Sequence, residues 1–264
     1  CLLLKAIKDY TGAQIMAVGD DFQSIYRFTG TNLALFMDFQ KYFPNAQIFK
    51  LENTYRNSQT LLNIMGKFIL KNQQQIPKQL KSNKIEAYPI YIYYYENSVK
   101  EVWELVVNKL ESNDVLVLGR NNKDLDVVIG SWPKMTVHQS KGLEADEVIL
   151  VNLEDKVTGF PNKIINDEVL NYVLDTREVM PFEEERRLFY VAMTRAKIRN
   201  HLLVKAKKPS LFVQELLRDN KTGIKVCYHV KYCPKCQGVL SIVREANNLF
   251  YSCSRAKCAY KRTL

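Results

Sequence analysis

Two short stretches carry residue types that local structure alone does not require. The run CPKCQGVLSIVREANNLFYSCSRAKC places Cys233 and Cys236 as Cys-x2-Cys, then a 16-residue spacer, then Cys253 and Cys258 as Cys-x4-Cys. Four thiolates at such spacings suit a tetrahedral zinc ion; free thiols are the alternative. Cys227 and His229 lie nearby but out of register, and are expected not to be ligands. The second stretch is AVGDDFQSIYRFTG, residues 17–30. A turn needs its glycine and one aspartate. It does not need Gln23, Tyr26, Arg27 and Phe28 together. An amide, a cation and two aromatics in one loop suit contact with something polyanionic and something flat.

The charge points the same way. Residues 199–264 hold 14 Lys/Arg against 3 Asp/Glu, while residues 1–198 hold 24 against 25. A near-neutral body with a strongly basic end suits an anionic partner, most simply nucleic acid. Five of the six cysteines fall between 227 and 258. That clustering fits a metal site in a reducing, cytoplasmic setting rather than a secreted disulfide scaffold. No run of 18 or more apolar residues suggests a membrane span. The opening CLLLKAIKDY has neither Met nor a signal-peptide n-region, and reads as the middle of a longer protein.

The elements that must position these residues alternate. Strands are expected at 13–18, 46–51, 87–95, 114–119, 134–138, 146–152 and 200–206, and helices at 32–43, 58–72, 98–110 and 183–197. Asn32 and Ser58 are candidate N-caps, and Pro44 is a stop signal. The tyrosine-rich run AYPIYIYYY reads as a strand rather than a base-stacking platform. Such alternation predicts an α/β fold with a mainly parallel sheet. Ligands bind such sheets at the carboxyl ends of the strands, where Gly19-Asp20-Asp21 and His138 are expected. The spacer between the cysteine pairs reads as a β-hairpin turning at Asn247-Asn248.

Four stretches in order carry a family resemblance. GDDFQSIYRFTG (19–30), LENTYRNS (51–58), TVHQSKGLEADEVIL (136–150) and EEERRLFYVAMTRAK (183–197) resemble motifs III, IV, V and VI of superfamily 1 DNA helicases of the UvrD/Rep type. The resemblance covers residues 1 to about 205. It implies RecA-like parallel-sheet motor domains: the end of the first in 1–47 and the second in 48–222, with a zinc ribbon in 223–264. It also implies roles. Tyr55 stacks on adenine, Glu144 hydrogen-bonds the ribose, and Arg56 and Arg195 reach the γ-phosphate as arginine fingers. Gln23 senses that phosphate or the attacking water. His138 links the nucleotide and DNA sites. Phe28, and second to it Tyr26, stacks on a DNA base. Lys141 meets DNA phosphate or caps a strand. The chemistry agrees, since phosphoryl transfer needs positioned cations and the guanidinium fork fits phosphate oxygens. The glutamates 183–185 are expected to favour the helix N-terminus and to pair locally, not to catalyse.

The sequence departs from the pattern in places. Phe28 replaces the usual Trp, Thr29 stands where Arg is frequent, and Ala145-Asp146 replaces an aromatic. About 80 residues separate Arg56 from Thr136, too few for the large insertion of many relatives and similar to the helicase IV branch. No G-x-x-x-x-G-K-[ST] occurs; MGKF at 65–68 has Phe after the lysine. The resemblance therefore implies the C-terminal part of an ATP-dependent DNA helicase or translocase, of 3′-to-5′ polarity by family, acting on single-stranded DNA or DNA with a single-stranded tail. ATP and Mg2+ would serve the full-length protein and Zn2+ the ribbon, and this chain alone would not hydrolyse ATP. A non-catalytic nucleic-acid-binding module is the alternative, and a third reading is an interaction platform whose ribbon recruits a protein partner. The ribbon resembles those ending bacterial type I topoisomerases. Lys235, Arg244, Arg255, Lys257, Lys261 and Arg262, with Phe250, Tyr251 and Tyr260, would face a single strand, or else the ribbon only docks on the motor.

Overall fold

The computed structural model describes residues 2–26, 36–164, 180–245 and 248–264. Its larger sheet has six strands: β1 (Ile90–Tyr95), β2 (Val115–Gly119), β3 (Lys134–Thr136), β4 (Ala145–Leu153), β5 (Ala196–Lys205) and β6 (Ile224–Tyr228). They pair in the order β3-β2-β4-β5-β1-β6, and every ladder is parallel. The strands are near-continuous apolar runs because both faces are covered. Alternate residues feed two cores. Leu116, Leu118, Val148, Leu150, Leu202 and Val204 face one. Val115, Val117, Ile149, Val151 and Leu203 face the other.

The first core is closed by α3 (Gln59–Ile69), α5 (Glu183–Met193) and α6 (Leu211–Asp219). Ser58 caps α3 as expected, accepting from the Leu61 N–H. The second core is closed by α4 (Lys100–Val107). Tyr93 and Tyr95 are buried in it, as a strand reading of that run requires. Helix α6 and strand β6 have no counterpart in the sequence reading. Strand β6 pairs with β1 at the sheet edge, so the large sheet continues past residue 222.

Two expected strands are absent. Residues 13–18 and 46–51 form no ladder among the described residues. Val18 is 81% exposed and Phe49 80%. An extended segment gains stability only when a neighbour takes its backbone hydrogen bonds, and no described strand lies beside either. The chain instead opens with α1 (Leu2–Thr11), and the short α2 (Phe39–Tyr42) ends just before Phe43-Pro44. The candidate cap Asn32 lies outside the described residues.

The second sheet is antiparallel: β7 (Leu240–Glu245), β8 (Asn248–Cys253) and β9 (Lys261–Thr263). The expected hairpin is present. Asn248 already pairs in it with Glu245, while Asn247 lies outside the described residues. No helix among the described residues is long and apolar enough to cross a membrane.

Candidate functional site

Described residues of the four motifs gather where β4 and β5 begin. Glu144 and Arg195 immediately precede β4 and β5, whose first ladder pair is Ala145 with Ala196. This cluster therefore lies at amino ends of strands, not at the expected carboxyl ends. Asp20-Asp21 follows no strand. His138 does follow β3, and the turn 137–144 carries the chain from that end back to Glu144.

Arg195 comes one residue after Thr194, the C-cap of α5, and is 1% exposed. Its Nε donates to Val191 O at 3.1 Å, Nη1 to Leu143 O at 3.1 Å and Nη2 to Gln23 Oε1 at 3.2 Å. Burial, and next the charge of Arg56, lower its pKa to about 10. It remains a cation at neutral pH. Arg56 donates from Nε to Glu144 Oε2 at 2.6 Å. That bond holds the Glu144 carboxyl below its ordinary range. Tyr55, one residue earlier, is 82% exposed. The structure thus brings two cations, one carboxylate and one open aromatic ring together.

The segment 19–26 closes over this cluster. Asp20 caps the turn Asp21–Gln23, accepting from the Phe22 N–H at 3.1 Å. Phe22 is buried edge-on against Tyr190 of α5, with ring centroids 5.3 Å apart. Arg187 donates to Ser24 O at 2.7 Å. Tyr26 donates to the main-chain oxygen of His138 at 3.0 Å. Lys141 donates to Gln23 O at 3.1 Å and lies 5.0 Å from the Tyr26 ring centre. The Gln23, Tyr26, His138 and Lys141 positions are therefore linked. Burial, with Arg120 nearby, lowers the His138 pKa to about 4, so its ring is neutral at pH 7. Phe28 lies outside the described residues.

Sequence reasoning missed several supports. Asn57 is buried and donates to the carbonyls on both sides of Arg195. Asp20 and Lys78 hold Gln23. Glu185 does not pair locally: it takes both Nε and Nη2 of Arg120 and also the Asn162 N–H. Arg186 reaches Glu215 of α6. No spacing rule links residues so far apart in sequence; a lone Asn in a loop gives no signal of what it will brace.

The four ribbon cysteines meet. Their Sγ atoms all lie within 4.8 Å of one another. Cys236 and Cys253 are 3.4 Å apart, Cys233 and Cys258 3.8 Å. Tetrahedral zinc with ~2.3 Å Zn–S bonds separates its sulfurs by roughly 3.8 Å, so the set fits that ion. The Gly238 N–H, ahead of the neighbouring thiols, lowers the Cys236 pKa, while the coupled Cys253 thiol is raised. Cys227 and His229 are engaged elsewhere, Cys227 with Tyr93 and His229 stacked on Tyr94.

The ribbon also docks. Ile242 is 1% exposed and joins the core that contains Trp103 of α4. Tyr251 stacks on Tyr228 of β6, and Arg244 donates to Glu104 and Asn108. Tyr251 and Arg244 therefore serve the docked face. Phe250 alternates to the other face, beneath Lys261 at 4.6 Å.

Residues 130–206 match the family model of the UvrD-like helicase C-terminal domain. The chain carries such a domain and is homologous to DNA helicases. DNA helicase IV of Escherichia coli (strain K12) is 32% identical over 225 residues, covering 81% of this chain and 33% of that protein. The ATP-dependent DNA helicase PcrA of Bacillus subtilis (strain 168) is 29% identical over 123 residues, 43% of this chain and 16% of PcrA. The chain thus spans about a third of helicase IV and less of PcrA. Among solved structures, the C-terminal domain of a possible DNA helicase from Lactobacillus plantarum WCFS1 superposes with a TM-score of 0.40 at 19% identity, over 66% of this chain and 98% of that one.

Proposed function

We propose that this chain is the C-terminal part of an ATP-dependent DNA helicase or translocase moving 3′ to 5′ along single-stranded DNA. The observation that carries the reading is the convergence of Arg56, Arg195 and Gln23 at the amino ends of β4 and β5, beside exposed Tyr55. Tyr55 would stack on adenine. Arg56 would leave Glu144 for the γ-phosphate, freeing that carboxylate for the ribose. Arg195 would stabilise the charge that develops on phosphoryl transfer. Gln23 lies in the segment that holds Tyr26 on the His138 turn, so nucleotide state and strand contact would share one rigid piece. Tyr26, Lys141 and Phe28 would touch the strand.

On this reading, residues 1–47 belong to the first motor domain, the following sheet is the second, and the ribbon is a zinc-bound appendage. The phosphate cradle and Mg2+ ligands would come from sequence not present here, so the chain alone would be inactive. Bound zinc would tie the two cysteine knuckles together. Lys235, Lys257 and the Phe250–Lys261 face would offer a single strand charge and one stacking surface.

The test is single-strand-stimulated ATP hydrolysis, on this chain alone and on the chain joined to its upstream half. Silence alone with activity when joined supports half a motor. Silence in both favours a non-catalytic nucleic-acid-binding module. In the joined protein, Arg195→Ala should stop turnover while sparing ATP binding more than Tyr55→Ala does; normal turnover would sink the finger assignment.

A further inference from the structure

Gln23 lies between a carboxylate and a guanidinium. Its Nε2 donates to Asp20 Oδ2 at 2.6 Å, and its Oε1 accepts from Arg195 Nη2 at 3.2 Å. An ionised carboxylate only accepts and a guanidinium only donates, so one orientation of the carboxamide satisfies both neighbours. Asp20 is held in turn. Its Oδ1 accepts from Lys78 Nζ at 2.5 Å and from the Phe22 N–H at 3.1 Å. Lys78 also pairs with the buried carboxylate of Asp21 and lies 4.2 Å from the Phe22 ring centre. Asp21 further accepts from the Ile76 N–H at 2.8 Å. One lysine thus bridges two adjacent carboxylates and ties residues 20–22 to the loop 73–84.

We propose that Asp20 and Lys78 are positioning residues for Gln23, in a relay Lys78–Asp20–Gln23–Arg195 that fixes which atom of the carboxamide faces the arginine. The consequence for the reaction rests on the nucleotide reading of Arg195. Bonds to ionised partners are the strong ones, and Asp20 uses them on both sides. When Arg195 turns towards a phosphate, Nε2 stays on Asp20. The group left facing the site is then an oxygen, which accepts a hydrogen from water but repels a phosphate oxygen. Without Lys78, Asp20 and Asp21 face each other uncompensated and the anchor loosens. With asparagine at position 20, the neighbour can present either oxygen or NH2, and the carboxamide of Gln23 loses its single orientation.

The test uses Lys78→Met and the near-isosteric Asp20→Asn. In the full-length protein each should lower kcat of strand-stimulated ATP hydrolysis by about ten- to a hundredfold, the scale of a misplaced catalytic group. The KM for ATP should stay within about twofold, because the loss falls on the transition state. Lys78→Met should add nothing in a Gln23→Ala background. Equal fold losses in both backgrounds would make Lys78 merely structural and overturn the proposal. The relay also has a readout independent of turnover. The side-chain amide resonance of Gln23 in this chain should shift in both variants and lose its protection from solvent exchange. An unmoved Gln23 signal overturns the relay whatever the ATPase shows. A moved signal, with a wild-type full-length protein that hydrolyses no ATP, upholds the relay and removes the nucleotide reading.

Discussion

Asn57 braces the peptide that carries Arg195. Its Nδ2 donates to Thr194 O at 3.2 Å and to Ala196 O at 2.6 Å, the carbonyls on either side of that arginine. Because Asn57 directly follows Arg56, the same bonds tie the main chain that carries Arg56 to the main chain that carries Arg195. Asn57→Ala leaves two buried acceptors with one donor fewer. It should cost about 1–3 kcal/mol, the scale of a buried polar group left unsatisfied. Asn57→Asp should cost more, since a carboxylate would face two carbonyl oxygens. Urea unfolding midpoints measure both. An unchanged midpoint in the alanine variant would show that the brace carries no load.

The four-cysteine cluster predicts a metal-dependent ribbon. The purified chain should hold about one zinc, and a small antiparallel sheet of this kind draws much of its folding energy from the ion. Ile242 and Tyr251 pack on the core that contains Trp103. Chelation should therefore do more than unfold residues 233–264. It should open that core and move the tryptophan emission to the red. Cys258→Ser should reproduce the shift without chelator. A protein that contains no metal and whose emission ignores chelator would refute the metal site.

Much of the sheet was legible because its strands are buried on both faces. The runs at β2 and β4 are apolar at consecutive positions, and their short length and β-branched residues favour a covered parallel strand over a buried helix. The same rule misled at 13–18 and 46–51. Apolar runs signal a strand only if neighbours exist to pair with it, and composition is silent on neighbours. Strand β6 was missed for the opposite reason: Lys225 and Cys227 interrupt an edge strand that is covered on fewer sides. The cysteine ligand set was readable from spacing, because a metal constrains ligands close in sequence. The supports of the arginine cluster were not. Asn57 reaches 139 residues along the chain to Ala196, and Arg120 reaches 65 to Glu185. Such pairs are products of the fold.

The turn between Cys233 and Gly238 contains a backbone flaw that can be repaired. Gln237 has φ +57°, a left-handed conformation that costs a side-chain-bearing residue about 1–2 kcal/mol. Its main-chain N–H donates to Cys233 O at 2.8 Å, which keeps it there. Glycine removes the clash but adds freedom to the unfolded chain. Gln237→Gly should therefore give a net gain of about 0.5–1 kcal/mol, read as a higher chelator concentration for ribbon opening. The next position cannot take the reverse change: a Cβ at Gly238 would lie 3.1 Å from Cys253 Sγ. Gly238→Ala should weaken metal binding. Stabilisation by that change, or destabilisation by the first, would contradict the knuckle geometry.

The turn that joins Tyr26 to β4 should be acid-sensitive through His138. Burial first, then the positive charge of Arg120, takes its pKa to about 4, against ~6.5 in an unfolded chain. The unfolded state therefore binds the proton more readily than the native state. Stability from this group is complete above pH ~6.5 and is lost as pH falls from there towards 4. Carboxylates such as Glu144 and Asp146, whose pKa values are lowered by Arg56 and by Ser112 respectively, lose their contribution below about pH 4 and so titrate outside the upper half of that window. His138→Gln removes the titration while keeping a polar side chain of similar length. Urea midpoints at pH 7, 6 and 5 should fall less steeply in the variant than in the parent protein. The parent should also lose protection of the Tyr26 hydroxyl contact first, because that hydroxyl donates to the His138 carbonyl at 3.0 Å. Parallel midpoint curves for the two proteins would show that the imidazole is solvated in the folded chain, and that the turn is held by its backbone alone.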